Sequence, residues 1–207
     1  MFLLVGSSFI KVKIFILCSP IHLNIRMKIL ISQLEFVRPP RNFVFDALER
    51  AYYTLFESHT LIPAPNTVKV PDNDYDCLVL TGGPDSIARN KTENLLFYDA
   101  FNKGVPIIGI CHGAFAINDL CGGTHGKVSG HLDQDVVITM EGSDHTVRCY
   151  HTQSIKKLPA EFVAIAHDKQ GNIEAFKHAS RPIYGILWHP ERMKNPVLPT
   201  EVKKLLD

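Results

Sequence analysis

The sequence lacks the features that mark several large classes of protein. Its 207 residues carry a formal net charge of only +1, and no basic stripe with interleaved aromatic residues is visible, so nucleic-acid binding has no support. The five cysteines are scattered and form no CxxC pair, which argues against a disulfide framework and a zinc ribbon. Free thiols fit a reducing compartment, and we expect a cytoplasmic protein. Without repeats or long linkers, residues 27–207 are expected to form one α/β domain.

The first 26 residues are apolar but match no membrane or targeting segment well. Lys11 and Lys13 interrupt the run, which is too short for a transmembrane helix, and it lacks the basic start and cleavage site of a secretory signal. Met27 is followed by KILISQ, which is typical of the opening strand of an α/β domain. We therefore expect residues 1–26 to be an extension outside the fold, arising from a start codon placed too early. A membrane anchor is the alternative, although no membrane partner is expected.

The most informative stretch is an apolar run that ends in a cysteine flanked by glycines. Residues 105–110, VPIIGI, are typical of a strand buried on both faces of a parallel sheet. Gly109 and Gly113 stand two residues to either side of Cys111, which is the spacing of a nucleophile elbow between a strand and a helix. The free N–H groups at the start of that helix favour a thiolate. A lone buried cysteine is usually structural, but this context favours a nucleophile.

The rest of the chain alternates short apolar runs with helical patterns. Strands are predicted over residues 27–33, 61–70, 76–80, 135–140, 145–150, 162–166, 173–176 and 183–188. Helices are predicted over residues 42–56, 92–102, 114–120 and 199–207. The two strands on either side of residues 141–144 are expected to form a hairpin.

A cysteine nucleophile needs a base and a group that orients the base, and both types follow the last predicted strand. His189 and Glu191 lie at a strand end, where catalytic residues of open α/β sheets gather. Their spacing lets both side chains point the same way from an extended backbone, so Glu191 can accept from one ring nitrogen while the other faces Cys111. An oxyanion needs two N–H donors. The amide of His112 is one candidate, and the turn at Gly83 can supply the other.

Three motifs together resemble those of class I (triad) glutamine amidotransferases and γ-glutamyl hydrolase-like proteins. They are TGGPDS at residues 81–86, GICHG at residues 109–113 and LWHPE at residues 187–191, and the likeness covers most of residues 27–192. It implies an α/β fold with a doubly wound, mostly parallel, flavodoxin-like sheet and a small β insertion. It also implies hydrolysis of a γ-glutamyl amide through a cysteine thioester, releasing glutamate and ammonia or an amine.

The resemblance also implies which residues surround the substrate. The segment YHTQS at residues 150–154 is similar to the segment that lies beside bound glutamine. Phe115 is a departure, because it stands where family members that use glutamine carry a Gln lining the pocket. This departure leaves free glutamine and a substituted γ-glutamyl amide as alternative substrates. The expected substrate-binding residues are Gly82, Phe115, His151, Thr152 and Gln153.

Two classes of function stay open from the sequence. The first is an enzyme in which Cys111 attacks the carbonyl carbon, His189 acts as base and then as acid, and Glu191 holds the imidazole tautomer. Since no synthase domain follows the motifs in this sequence, such an enzyme would pass ammonia to a separate synthase subunit or would act alone on a γ-glutamyl compound. The second is a catalytically silent binding or regulatory module, which Phe115 favours.

The ten histidines invite a metal assignment that their spacing does not support. His125, His131, His145 and His151 follow neither the helix-borne nor the finger pattern of zinc ligands. Cys111 is better explained as a nucleophile than as a thiolate ligand. The sequence therefore predicts no metal site and no cofactor.

Overall fold

The computed structural model describes residues 26–207, so all of the extension predicted over residues 1–26 except Arg26 lies outside the described part of the chain. The strands are β1 (Lys28–Ser32), β2 (Leu34–Arg38), β3 (Phe43–Ala47), β4 (Thr60–Ala64), β5 (Cys77–Leu80), β6 (Ile107–Ile110), β7 (Thr124–Lys127), β8 (Leu132–Met140), β9 (Ser143–Tyr150), β10 (Gln153–Lys157), β11 (Phe162–Asp168), β12 (Ile173–His178) and β13 (Ile183–Ile186). The α-helices are α1 (Arg50–Leu55), α2 (Ile87–Lys103), α3 (His112–Leu120) and α4 (Thr200–Leu206). A 3-10 turn covers Pro190–Arg192.

Five strands form the parallel half of an 11-stranded sheet. Their order is β4-β1-β5-β6-β13, and every neighbouring pair in this series is parallel. All residues of β5, β6 and β13 are buried, which explains why these strands are continuous apolar runs in the sequence. β4, which covers only the first part of the strand predicted over residues 61–70, lies at the edge of the sheet.

Helices cover both faces of the parallel half, so the predicted doubly wound α/β fold is confirmed. α2 and α3 pack on one face through residues such as Leu96 and Ile117. α1 and α4 pack on the other face through Tyr52 and Val202. Because successive strand residues point to opposite faces, each central strand contributes side chains to two separate cores. Among the described residues, no helix combines the length and the apolar character needed to cross a membrane.

The strands of the β insertion continue the same sheet in antiparallel fashion. β12 pairs with β13, and β11, β8 and β9 follow outward. The predicted hairpin is present as β8 and β9, whose turn contains Glu141 and Gly142, both at positive φ. β7 and β10 pair with each other beside β12. Neither of these two short strands was predicted, because their sequences, THGK and QSIKK, show no apolar alternation.

The helix predicted over residues 42–56 is wrong in its first half. Phe43–Ala47 form β3, which pairs with β2 in a separate two-stranded sheet, and only Arg50–Leu55 is helical. Phe43, Val44 and Phe45 are all exposed, so they form no apolar helix face that a core could bury. Aromatic and β-branched residues favour a strand in this situation.

The helix predicted over residues 92–102 is present but begins earlier, at Ile87. Its start is fixed by Ser86, whose hydroxyl accepts a hydrogen bond of 3.2 Å from the amide of Arg89. Its end is fixed by Gly104, which takes the left-handed conformation with φ +70°. These caps extend α2 toward the glycine turn that follows β5.

Candidate active site

Three strand ends bring the predicted motifs together at one edge of the sheet. β5, β6 and β13 are parallel neighbours, so the residues that follow them share that edge. Gly82 and Gly83 follow β5, Cys111 follows β6 and His189 follows β13. A Cβ at Gly82 would lie 2.5 Å from Cε1 of His189 and 3.4 Å from Cβ of Cys111. Glycine at position 82 therefore lets the base and the nucleophile approach each other.

The cysteine stands on a strained turn between β6 and α3, as the elbow spacing predicts. Cys111 has φ +50° and ψ −104°, a conformation that non-glycine residues rarely adopt and that concentrates at functional sites. A Cβ at Gly109 would lie 2.6 Å from the carbonyl oxygen of Gly113, and a Cβ at Gly113 would lie 2.2 Å from that of Leu80. Both glycines are therefore required by close backbone packing. Cys111 itself is 8 % exposed.

The predicted base and its orienting carboxylate form a buried pair. Nδ1 of His189 lies 2.6 Å from Oε1 of Glu191, and because a carboxylate only accepts, Nδ1 carries the hydrogen. Burial lowers the pKa of His189, but its contacts with Cys111 and Glu191 outweigh burial and raise the pKa to about 9. The backbone differs from the prediction, because Pro190–Arg192 form a 3-10 turn instead of an extended segment. The two side chains are paired in spite of this difference in the backbone.

Two tyrosines that the sequence analysis did not assign to the site pack against this pair. The Tyr52 hydroxyl accepts a hydrogen bond of 2.9 Å from the amide of Gly82. Burial, followed by the charge of Glu191, raises the pKa of Tyr52 well above its ordinary value. The ring of Tyr150 lies edge-on to His189, with 5.2 Å between the ring centroids. These contacts fix the imidazole and the glycine turn relative to each other.

A fully buried arginine holds the glycine turn from behind. Nη2 of Arg89 donates to the carbonyl of Thr81 at 2.7 Å, and Nη1 donates to the carbonyls of Pro84 at 2.9 Å and Gly82 at 3.3 Å. Because the C=O and N–H of a trans peptide point in opposite directions, the amide of Gly83 is turned away from Arg89. The guanidinium therefore determines which way this amide faces.

Glu93 connects that arginine to the residue after the nucleophile. Its Oε1 accepts from Nε of Arg89 at 2.9 Å and from the hydroxyl of Ser32 at 2.7 Å, and its Oε2 lies 2.9 Å from Nε2 of His112. Burial raises the pKa of Glu93, but the hydrogen bond from His112 and the charge of Arg89 outweigh burial and lower it. Sequence reasoning missed this network, because its members come from separate elements.

A cavity of about 500 Å³ opens in front of Cys111. Four of the five predicted substrate-binding residues line it, whereas Gly82 does not and packs against His189. The ring of Phe115 lies edge-on to those of His125 and His151, with centroid distances of 5.5 and 6.1 Å. The predicted residues that line the cavity are Gly83, Cys111, His112, Phe115, His151, Thr152 and Gln153.

Comparison with known families agrees with this geometry. The model of the family "Glutamine amidotransferase class-I" matches residues 43–204, which is more than half of the chain. The chain belongs to the class I glutamine amidotransferases. The family predicted from the three motifs is therefore confirmed.

Several relatives of this amidotransferase belong to GMP synthases. It is 34% identical over 139 residues to a glutamine-hydrolyzing GMP synthase subunit of Methanosarcina barkeri, covering 61% of this chain and 71% of the relative. It is 35% identical over 136 residues to the corresponding subunit of Archaeoglobus fulgidus, covering 61% and 72%.

Solved structures of other proteins share the amidotransferase fold. A candidate GMP synthase subunit from Thermoplasma acidophilum superposes with a TM-score of 0.65 at 22% identity, covering 87% of this chain and 92% of that one. A glutamine amidotransferase from Thermotoga maritima gives 0.61 at 13% identity, covering 80% and 76%. At these identities the likeness shows the fold alone.

Proposed function

We propose that the protein hydrolyses glutamine through a thioester on Cys111 and passes the ammonia to a separate synthase subunit. The observation that carries this proposal is the buried His189–Glu191 pair, 2.6 Å apart, in contact with Cys111, which lines the cavity of about 500 Å³. A nucleophile, a base and an orienting carboxylate in this order are the parts that acyl transfer requires.

The reaction follows from the roles of these three side chains. His189 takes the proton from Sγ of Cys111, and the thiolate attacks the side-chain carbonyl carbon of glutamine. The tetrahedral intermediate collapses, the C–N bond breaks, and His189 returns the proton to the leaving nitrogen, which departs as ammonia. Water then attacks the thioester while His189 accepts its proton. The C–S bond breaks, the thiolate regains a proton from His189, and glutamate is released.

The oxyanion that forms in both steps would be bound by two backbone amides. Gly83 and His112 both line the cavity beside Cys111, and Arg89 turns the Gly83 amide away from itself by holding the carbonyl of Gly82 at 3.3 Å. Oriented N–H donors stabilise the charge that develops in the transition state. The position of these two amides next to Cys111 supports their role as oxyanion donors.

The substrate and the partner are inferred from two lines of support. The curated relatives are named as glutamine-hydrolyzing GMP synthase subunits, which favours free glutamine over a substituted γ-glutamyl amide and favours transfer of the ammonia to a synthase. His151, Thr152 and Gln153 line the cavity and would contact the substrate together with Phe115. A catalytic thiol also needs a reducing compartment, so we keep a cytoplasmic location as part of the proposal.

The test is release of glutamate from glutamine by the full chain, with and without a candidate synthase subunit. The Cys111→Ala variant should lose at least about 10³-fold in rate, because the nucleophile is absent. The matched control is Cys121→Ala, which removes a thiol that does not line the cavity and should leave the rate unchanged. A parallel assay with γ-glutamyl methylamide decides whether Phe115 selects a substituted amide.

Three outcomes would contradict parts of the proposal. Substantial turnover by Cys111→Ala would exclude the thioester route. Preference for the substituted amide would contradict the transfer of ammonia to a synthase and would indicate a γ-glutamyl hydrolase that acts alone. No turnover under any condition, combined with a Cys111 thiol that iodoacetamide alkylates no faster than the other cysteines, would favour the catalytically silent module.

A further inference from the structure

Four ionisable side chains meet in the antiparallel half of the sheet, and none of them belongs to the catalytic pair or the nucleophile. His131 precedes β8, His151 follows β9, Asp168 ends β11 and Glu174 lies in β12. Their exposed fractions are 3%, 5%, 7% and 0% respectively. We refer to these four residues as the His131–Glu174 cluster. Burial of this many ionisable groups is costly unless their charges are balanced.

The polar atoms of the cluster converge without forming hydrogen bonds to one another. Nε2 of His131 lies 3.1 Å from Oε1 of Glu174 and 3.2 Å from Oδ2 of Asp168. Nε2 of His151 lies 3.3 Å from Oε2 of Glu174. Yet Nε2 of both histidines and Oε1 of Glu174 have no hydrogen-bond partner. Buried polar atoms left unpaired in this way need an explanation, such as an ion between them.

The hydrogen bonds made by Nδ1 of each histidine show that Nε2, the nitrogen that faces the cluster, has a free lone pair. Nδ1 of His131 lies 3.0 Å from the carbonyl oxygen of Ser129, and Nδ1 of His151 lies 2.6 Å from that of Gln153. A carbonyl only accepts, so Nδ1 carries the hydrogen and Nε2 of the neutral ring is an acceptor. Metal-bound histidines are held in this way, with the non-ligating N–H donated to a carbonyl or carboxylate.

The carboxylate of Asp168 is also held in position, and the charges of Asp168 and Glu174 have no Lys or Arg partner among the described residues. Oδ1 of Asp168 accepts from the amides of Gln170 and Asn172 at 2.8 and 2.7 Å, and Oδ2 accepts from the side chain of Asn172 at 2.7 Å. Within residues 26–207, the ion pairs of Asp168 and Glu174 are with histidines and with no Lys or Arg. Two carboxylates and two neutral imidazoles carry two negative charges, which one divalent cation would balance.

We propose that the His131–Glu174 cluster binds one zinc ion, with Nε2 of His131 and the carboxylates of Asp168 and Glu174 as ligands, since the ligand atoms of these three residues all lie within 4.8 Å of one another. Zinc bonds to nitrogen and oxygen of about 2.0–2.2 Å place neighbouring ligand atoms of a tetrahedron roughly 3.3–3.6 Å apart. The observed separations of 3.1 Å and 3.2 Å between Nε2 of His131 and the two carboxylates are close to this spacing. Imidazole and carboxylate together suit zinc better than calcium or magnesium, which prefer oxygen ligands alone.

The surroundings of the cluster indicate how an ion would enter the site and what it would stabilise. A cavity of about 220 Å³ at the protein surface is lined by His131 and Asp168, so an ion can reach the ligands from solvent. The ion would join the start of β8 to β11 and β12. It would thereby fix Glu174, whose Oε2 lies 3.3 Å from Nε2 of His151, and His151 in turn lines the substrate cavity beside Phe115. The site is thus structural and does not depend on the proposed reaction.

No zinc motif marks these residues in the sequence, because the three ligands lie far apart in the chain, just before β8, at the end of β11 and in β12. Pairing across the sheet brings them together, and their spacing along the chain carries no information about that contact. This proposal therefore departs from the prediction of no metal site, which rested on spacing alone.

The test is zinc binding by the full chain, measured with isothermal titration calorimetry, thermal unfolding and X-ray absorption at the zinc edge. The protein carries Cys111→Ala, which removes the catalytic thiol as a competing ligand, lacks a polyhistidine tag and is first stripped with a chelator. We expect one zinc ion per chain, a higher Tm with zinc than without it, and nitrogen and oxygen ligands that include imidazole. Adding His131→Gln should weaken binding by at least about tenfold.

His167→Gln is the matched control, because His167 lies exposed on β11 next to Asp168 and should leave zinc binding unchanged. The proposal would be overturned if the folded protein, stripped of metal, takes up no zinc. The cluster would then consist of two protonated histidines paired with two carboxylates. Equal binding by His131→Gln would also overturn it. If His131→Gln fails to fold, the X-ray absorption of the parent protein decides, because a ligand shell without imidazole contradicts the assignment.

Discussion

Arg89 and Glu93 form a fully buried ion pair behind the glycine turn, with 2.9 Å between Nε and Oε1. Burying two charges is unfavourable unless both are paired and hydrogen-bonded. Here the guanidinium also serves three carbonyl groups of the turn, and the carboxylate lies 2.9 Å from Nε2 of His112. One ion pair therefore connects the regions that contain both proposed oxyanion donors, Gly83 and His112.

Replacing the arginine with lysine tests this connection at the scale of one residue. Arg89→Lys keeps the charge but loses the fork that reaches Thr81 and Pro84 at once, so the free energy of unfolding in urea should fall by about 2–3 kcal/mol. Glutamate release should fall as well, since the Gly83 amide is no longer held. The control Lys103→Gln removes an exposed ion pair with Asp99 at 2.7 Å and should change stability by less than about 0.5 kcal/mol. An unchanged urea midpoint for Arg89→Lys would contradict this role.

The proposed catalytic residues could be identified from the sequence because each belongs to a short contiguous motif. Cys111 is identified by its flanking glycines, and His189 and Glu191 by their place at a strand end. Tyr52 and Arg89 could not be predicted, since their roles depend on contacts with Gly82 and its neighbours that the chain reaches only after folding.

Among the elements, the junction of β6 with α3 places the nucleophile. Helix α3 starts directly after Cys111 and passes so close to β5 that the amide of Gly113 donates to the carbonyl of Thr81 at 3.1 Å. This contact joins the elbow to the strand that leads into the glycine turn. The junction therefore sets the distance between the nucleophile and the proposed oxyanion donors.

Adding one methyl group at this junction should disturb both stability and activity. In Gly113→Ala the new Cβ would lie 2.2 Å from the carbonyl oxygen of Leu80, and backbone atoms cannot rotate away as a side chain can. We expect a loss of about 3 kcal/mol in the free energy of unfolding and slower alkylation of Cys111 by iodoacetamide. Gly126→Ala is the control, because its Cβ would meet only the flexible side chain of Lys156 at 3.2 Å. If both variants unfold at the same urea concentration, the close approach is not structurally important.

The strands of the parallel half could be predicted because burial on both faces leaves a continuous apolar run in the sequence. β3 could not be predicted, because the aromatic residues at its start fit a helical and a strand pattern equally well when the residues up to Tyr52 are included. The start of α2 was placed too late, because the prediction did not use the hydroxyl of Ser86 as a cap. The prediction errors thus occur where exposed residues or helix caps determine the secondary structure.

On the scale of the whole molecule, the two halves of the sheet supply different parts of the site. The parallel half carries the nucleophile, the base and the glycine turn at adjacent strand ends. The antiparallel half supplies residues 150–153 to the lining of the cavity and contains the His131–Glu174 cluster. The sequence predicted the first part through its motifs. The resemblance to the family implied the cavity wall, whereas the cluster depends on pairing among strands far apart in the chain.

The central claim is that this assembly forms a γ-glutamyl thioester on Cys111, and mass spectrometry of the full chain tests it most directly. The protein is mixed with glutamine, quenched in acid during turnover and digested. The account predicts that the peptide containing Cys111 gains the mass of one glutamyl group, and that Cys111→Ala shows no such adduct. Glutamate release without any adduct on Cys111, or an adduct on a different residue, would contradict the account.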